Sequence, residues 1–256
     1  MSAGFQLALA FAIMAAMSNM KDLKDRVVFL TGASRGIGLA VAFRLAREQV
    51  RLAICGRDGK ALAAVAREAE SRGATKVFSK TFDLAQEAAI LEFLREAQES
   101  LGVPDILINN AGFNERKARL AESTTAEFDS SMAVNLRAPF VFIREVLRTM
   151  IPREQGHIVN ILSTTCHASN ENLGVYTAAK SGLAALTGVL RKEVRPQGIR
   201  VSALYPGGTH TTFRPNDRPD YMKPESVAEA VYATLAMPDD LVVHDVTFRP
   251  MVETNF

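Results

Sequence analysis

The chain has 256 residues, 48% of them hydrophobic and 23% charged, enough to bury one substantial core in a single domain. Thirty basic residues against 28 acidic ones leave a net charge of +2, which argues against nucleic acid or an anionic membrane as a partner. Two cysteines, Cys55 and Cys166, cannot build a disulfide framework, and His157, His167, His210 and His244 lack metal-ligand spacing; reduced thiols, a cytoplasmic setting and no metal site are expected.

Residues 1–20 are set aside as an extension outside the fold, and residues 21–256 are read as the domain. The apolar run from Phe5 to Met17 is shorter than the roughly 20 residues that span a bilayer. No Lys or Arg precedes it as in a secretory signal, the first basic residue being Lys21. Met17 and Met20 are candidate starts, and a docking helix or a weak membrane anchor is the alternative use of the segment.

From Lys24 onward, strand-like runs alternate with helical stretches. The strands are expected at Val27–Thr31, Arg51–Cys55, Lys76–Lys80, Ile106–Asn109, His157–Leu162, Arg200–Tyr205 and Leu241–Arg249. Helices are expected near Gly36–Glu48, Asp58–Arg72, Gln86–Leu101, Thr125–Met150, Val175–Arg195 and Pro224–Ala236. The central strands are continuous apolar runs, as in parallel strands covered on both faces. The alternation predicts an α/β fold: a single-domain, Rossmann-like, doubly wound parallel sheet of seven strands with helices on both faces. In such a sheet, ligands bind beyond the carboxyl ends of the strands.

The first strand runs into Thr31-Gly32-Ala33-Ser34-Arg35-Gly36-Ile37-Gly38 before a helix begins. Glycines there let the backbone approach a pyrophosphate, whose charge the helix N-terminus stabilises. The second strand ends Ile54-Cys55-Gly56-Arg57-Asp58. Gly56 stands where an NAD site usually carries a carboxylate, and Arg57 and Arg35 offer guanidinium groups suited to a 2′-phosphate. NADP(H) is the expected cofactor. The alternative is that both arginines are solvated and Asp58 holds the ribose.

Strand four finishes Asn109-Asn110-Ala111-Gly112, and strand five finishes at Ser163, with Tyr176 and Lys180 on the following helix. Four residues apart, Tyr176 and Lys180 share one helix face. A free tyrosine titrates near pH 10, and a neighbouring ammonium favours its phenolate. A hydroxyl such as that of Ser163 can hold a substrate oxygen as charge moves.

Taken together and in order, these motifs resemble the short-chain dehydrogenase/reductase family from Lys21 to about Thr212. Asp83 after strand three, Asn135 in the helix after strand four, and Pro206-Gly207 with Thr211 after strand six add to the likeness. The resemblance implies that Tyr176 exchanges the proton with the substrate oxygen, and that Lys180 lowers the tyrosine pKa and binds the nicotinamide ribose. Ser163 should orient the substrate, and Asn135 should hold a water linking Lys180 to solvent. It also implies a cofactor site of Gly32, Ser34, Arg35, Gly36, Ile37, Gly38, Arg57, Asp83, Leu84, Asn110, Ala111, Gly112, Tyr176, Lys180, Pro206, Gly207, Thr209 and Thr211. Plainer readings make Asn109 and Asn110 structural residues at a strand end, and make Asn135 a satisfier of backbone groups at a helix kink.

The core motifs are similar to those of 3-oxoacyl-carrier-protein reductase-like enzymes, but the usual TGQ-type turn and DGG-type tail are missing, so acyl-carrier specificity is not expected. Phe113 and His167 are expected to join Ser163 and Tyr176 around the substrate, with Asn114, Asn170 and His210 as further candidates. Thr211 to Pro224, with Pro215, Asp217 and Pro219, should form a short lid. Apolar and small residues on several faces of two helices (Phe140, Val141, Ile143; Gly182, Ala185, Gly188) suggest a homodimer or homotetramer. The expected activity is NADP(H)-dependent hydride transfer between nicotinamide and a carbonyl or secondary alcohol. Alternatives are a catalytically silent NADP(H)-binding sensor and an epimerase-like relative, which normally has a longer substrate domain after strand six.

Overall fold

Among the described residues, seven parallel strands make one sheet: β1 (Val27–Thr31), β2 (Arg51–Gly56), β3 (Lys76–Thr81), β4 (Ile106–Asn109), β5 (Gly156–Ile161), β6 (Ile199–Pro206) and β7 (Asp245–Phe248). Their spatial order is β3-β2-β1-β4-β5-β6-β7. The computed structural model describes residues 20–213 and 217–254. The apolar run from Phe5 to Met17, and Pro215 in the expected lid, lie outside the described residues.

Helices α1 (Gly36–Ala46), α2 (Gly59–Ser71) and α7 (Pro224–Leu235) cover one face; α3 (Glu87–Leu101), α5 (Ala138–Met150) and α6 (Gly174–Val194) cover the other. Strand residues alternate between these layers. Val28 and Leu30 join Val41, Leu45, Leu62 and Val231, whereas Val27 and Phe29 join Phe93, Phe142 and Leu190. Phe93 is fully buried, with the rings of Phe29, Phe78, Phe82 and Phe142 centred 5.4 to 6.0 Å from its own. Two covered faces explain why β1, β4 and β5 read as unbroken apolar runs.

Three expectations need correction. The helix expected over Thr125–Met150 is α4 (Thr125–Met132), a π-helical turn at Ala133–Arg137 and then α5. The last strand is four residues long instead of Leu241–Arg249: a turn bond from the Leu241 amide to the Pro238 carbonyl keeps Leu241 and Val242 exposed, and pairing with β6 starts at Asp245. Val141 and Ile143 belong to the protein's own core, while Phe140 stays 44% exposed.

Candidate active site

The glycine loop turns where β1 meets α1. Gly32 and Gly36 have φ of +70° and +57°, a region that L side chains rarely adopt. A β-carbon on Gly38 would fall onto the Gly32 carbonyl oxygen, and one on Gly32 would stand 2.8 Å from the Ala111 Cα. Asn110 ties the two loops together: its Nδ2 donates to the carbonyls of Thr31 (2.9 Å) and Gly32 (3.2 Å). The Thr31 hydroxyl accepts from the amides of Asn110 and Ala111. Asn110 is therefore engaged as a structural tie. No side chain caps α1, and no acidic residue occupies its first turn, so the positive end of this helix faces the loop. That cradle fits an anionic pyrophosphate. Thr211 lies across the loop, its Cγ2 3.3 Å from where a β-carbon on Gly36 would be.

Beside the loop, Ser34 Oγ sits 3.1 Å from where a β-carbon on Gly56 would be, so the end of β2 packs directly on the glycine turn. Arg35 and Arg57 are exposed. The Arg57 guanidinium stands 5.7 Å from the Phe113 ring centre. Asp58 is the N-cap of α2, its Oδ1 accepting from the Ala61 amide at 3.0 Å. Asp83 makes a local turn, accepting from the Ala85 amide, and Leu84 is buried in the core.

Further along the sheet edge, the π-helical turn delivers Asn135 to the end of β4. Its Oδ1 accepts from the Phe113 amide (3.1 Å), and its Nδ2 donates to the Phe113 carbonyl (2.9 Å) and to Ser131. The side chain is fully buried and locks the Gly112–Phe113 backbone in place, which matches the plainer reading of this residue. Gly112 is small for a visible reason: a β-carbon there would stand 2.9 Å from Asn135 Oδ1 and 3.2 Å from Lys180 Nζ. The structure thus brings Asn135, Gly112 and Lys180 to one point. Pro139, four residues after Asn135, was an overlooked signal, because proline withholds the N–H that an α-helix would offer the Asn135 carbonyl.

Lys180 is 2% exposed and donates to the Ile161 carbonyl at 2.9 Å. Burial pushes its pKa down to about 8. Tyr176, one helical turn earlier on α6, is 9% exposed, with its ring 5.8 Å from that of Phe213 in the loop after β6. Ser163 lies two residues beyond β5, and its Oγ accepts from the Thr165 amide. His167 leans away toward the last strands: its ring is 4.3 Å from that of Tyr205, and its Nε2 pairs with the Thr247 hydroxyl at 3.2 Å. Phe113 meets both regions, its ring facing the Arg57 guanidinium and its backbone held by Asn135.

The stretch after β6 is tied at both ends. Thr209 bridges to Met222, and the His210 amide donates to the Met222 carbonyl at 2.8 Å. His210 also lies 3.4 Å from Asp217.

A doubly wound sheet with this glycine cradle defines a dinucleotide-binding α/β protein. A family model described as short chain dehydrogenase matches residues 26–222. An uncharacterized oxidoreductase of Staphylococcus saprophyticus is 31% identical over 235 residues, covering 91% of this chain and all of that protein. Among solved structures, an alcohol dehydrogenase from the archaeon Thermococcus sibiricus, complexed with 5-hydroxy-NADP, superposes with a TM-score of 0.84 at 29% identity, covering 90% of this chain and 99% of that one. A metagenomic short-chain oxidoreductase in complex with NADP gives 0.81 at 32% identity, covering 91% and 100%. The chain belongs to the short-chain dehydrogenase family, whose members are oxidoreductases that bind nicotinamide cofactors and act on small molecules. The kinship shown is to the family as a whole.

Proposed function

We propose that this chain is an NADP(H)-dependent reductase or dehydrogenase of a small carbonyl or secondary alcohol, with Tyr176 as its general acid–base. The observation that carries the reading is the meeting of buried Lys180 and Asn135 over Gly112, one helical turn from Tyr176, at the same sheet edge as the glycine cradle. NADP(H) over NAD(H) is supported by the commitment of Asp58 to its helix, which leaves Arg57 and Arg35 as the charged groups beside Gly56. The NADP complexes of two related structures point the same way.

The bound nicotinamide supplies or accepts the hydride. The protein's part is proton transfer and positioning. In reduction, Ser163 donates a hydrogen bond to the carbonyl oxygen, and Tyr176 gives that oxygen a proton as charge develops on it. The Lys180 ammonium stabilises the resulting phenolate, its low exposure keeping the interaction unscreened. Asn135 holds the Gly112–Phe113 backbone against that ammonium. Oxidation runs the same proton path in reverse. Phe113 is retained as a candidate contact for substrate or cofactor, while the engagement of His167 with Tyr205 and Thr247 favours a structural role for it.

A homo-oligomer is part of the proposal. Val189 of α6, Phe140 of α5 and Phe128 of α4 are exposed by 56%, 44% and 44%, apolar surface that a second copy would cover. A cytoplasmic setting is supported by the unpaired Cys55 and Cys166.

The test is turnover of a panel of small ketones, aldehydes and alcohols with both cofactors, followed as nicotinamide absorbance. Tyr176→Phe should abolish the activity. Full turnover by that variant overturns the assigned acid–base, and NADPH binding with no turnover of any carbonyl or alcohol selects the silent sensor.

A further inference from the structure

After β7 the chain turns back on itself, the Glu253 amide donating to the Pro250 carbonyl at 3.1 Å. The neighbouring Met251 and Val252 are 99% and 50% exposed, yet the Glu253 side chain is only 13% exposed. Its Oε1 accepts from the Gly208 amide at 2.9 Å. Its Oε2 stands 2.5 Å from where a β-carbon on Gly207 would be, and Oε1 2.7 Å from one on Gly208. Arg249, 11% exposed, holds the carboxylate from the other side at 3.5 Å. The Gly207 amide meanwhile donates to the Phe248 carbonyl at 2.8 Å. Two successive amides of the turn after β6 are thus gripped by the last strand and the tail behind it. Glycine suits both positions: a side chain at Gly207 would meet the carboxylate and the Arg249 stem, and one at Gly208 would meet the Tyr221 ring as well as the carboxylate.

We infer that Glu253 is a positioning residue for the nicotinamide end of the cofactor, acting through the Gly207–Gly208 turn. The inference rests on the function proposed above, in which Pro206, Gly207 and Thr209 line the nicotinamide. A buried carboxylate that accepts a backbone N–H makes a charge-assisted hydrogen bond. Here that bond falls on a turn whose Gly207 amide is held by the Phe248 carbonyl and whose Gly208 carbonyl is held by the Met222 amide, so Glu253 supplies the tie at the Gly208 N–H. The Thr209 hydroxyl donates back to the Gly207 carbonyl at 3.2 Å, so a shift of the Gly207–Gly208 turn is passed on to the Thr209 side chain. The adenosine half of the site, at Gly32–Gly38 and Arg57, is built from different elements and does not share this support.

That separation defines the experiment. Full-length protein and its Glu253→Ala and Glu253→Gln variants are titrated with NADPH and with adenosine 2′,5′-bisphosphate, which carries the adenosine half and no nicotinamide. Glu253→Ala is expected to weaken NADPH about tenfold, the scale of one charge-assisted hydrogen bond, and to leave the bisphosphate within about twofold. Glu253→Gln, whose amide oxygen still accepts the Gly208 N–H, should recover NADPH affinity to within about threefold. Unchanged NADPH affinity in Glu253→Ala, equal weakening of both ligands, or a glutamine variant as weak as the alanine one overturns the inference. A wild-type chain that binds neither ligand overturns the proposed function, and this inference with it.

Discussion

Lys180 donates its ammonium proton to the carbonyl of Ile161, 2.9 Å away at the end of β5. Buried as it is, this charge is costly to the fold. The drop from its ordinary 10.5 to about 8 corresponds to about 3 kcal/mol, at about 1.4 kcal/mol for each pH unit. Below pH 8 the folded state carries the whole penalty. Between pH 8 and 10.5 the unfolded chain holds the proton while the folded one sheds it, so stability rises with pH across that window. Lys180→Met should therefore be inactive yet about 1 to 3 kcal/mol more stable at pH 7, part of the gain being offset by the lost bond to Ile161. Urea unfolding at pH 7 and pH 10 checks this, and a variant less stable than wild type at pH 7 contradicts it.

The same titration bears on catalysis. On the proposed mechanism, Lys180 loses, as pH climbs past about 8, the charge that would favour the Tyr176 phenolate. The catalytic rate at saturating cofactor should reflect a group titrating near that value, and a rate profile flat from pH 6 to 10 would contradict it.

Arg57→Ala should weaken NADPH binding about tenfold or more, the loss of a charge-assisted contact to the 2′-phosphate, while changing NADH binding little. Asp58→Ala should leave cofactor preference alone and lower stability by about 1 kcal/mol, because its carboxylate caps α2. Equal losses for both cofactors in the arginine variant would remove the basis for choosing NADP(H).

His157 predicts an acid limit. It is 5% exposed, its Nε2 is paired with the Ser202 hydroxyl at 2.8 Å, and its pKa is pushed down to about 3 by burial and by the charges of Arg200 and Lys21. The unfolded chain takes up this proton below pH 6.5 and the folded chain does not. The stability is complete above that pH and is lost on acidification, by about 3 kcal/mol at pH 4.5. His157→Gln should flatten the pH dependence of unfolding between pH 7 and 4.5. An unchanged slope would show that other groups set the limit.

Asn135→Ala strands the Phe113 amide and carbonyl and should cost about 2 to 4 kcal/mol. A loss under about 1 kcal/mol, measured by denaturant unfolding, would mean that water replaces the side chain readily.

The alternation of strands and helices along the chain and the identity of the glycine turn were legible in the sequence because they depend on local pattern. Apolar runs mark buried parallel strands, and Gly32, Gly36 and Gly38 mark a backbone that must turn closely. What remained hidden depends on contacts between distant segments. Periodicity reads residues 125–150 as one helix because a π-turn adds a single residue to one turn, and only the bonds from Asn135 to Phe113 reveal why it is there. Asp58 can bind a ribose or cap a helix with the same carboxylate, and only the fold shows the Ala61 amide that it caps. Glu253 looks like an ordinary tail residue until Gly208 is placed beside it. His167 follows Ser163 in the chain but rests against Tyr205 of β6 and pairs with Thr247 of β7, contacts that the sequence around it does not signal.

The contact between Gly38 and the Gly32 carbonyl reaches into heredity. Every single-nucleotide change in a glycine codon is silent, ends the chain, or installs a residue with a β-carbon, and any β-carbon at position 38 lands on that oxygen. The codon therefore has no neutral missense neighbours. Descendants of this gene that give up glycine there should be found only where the ancestral loop, and the ligand it cradles, have been abandoned.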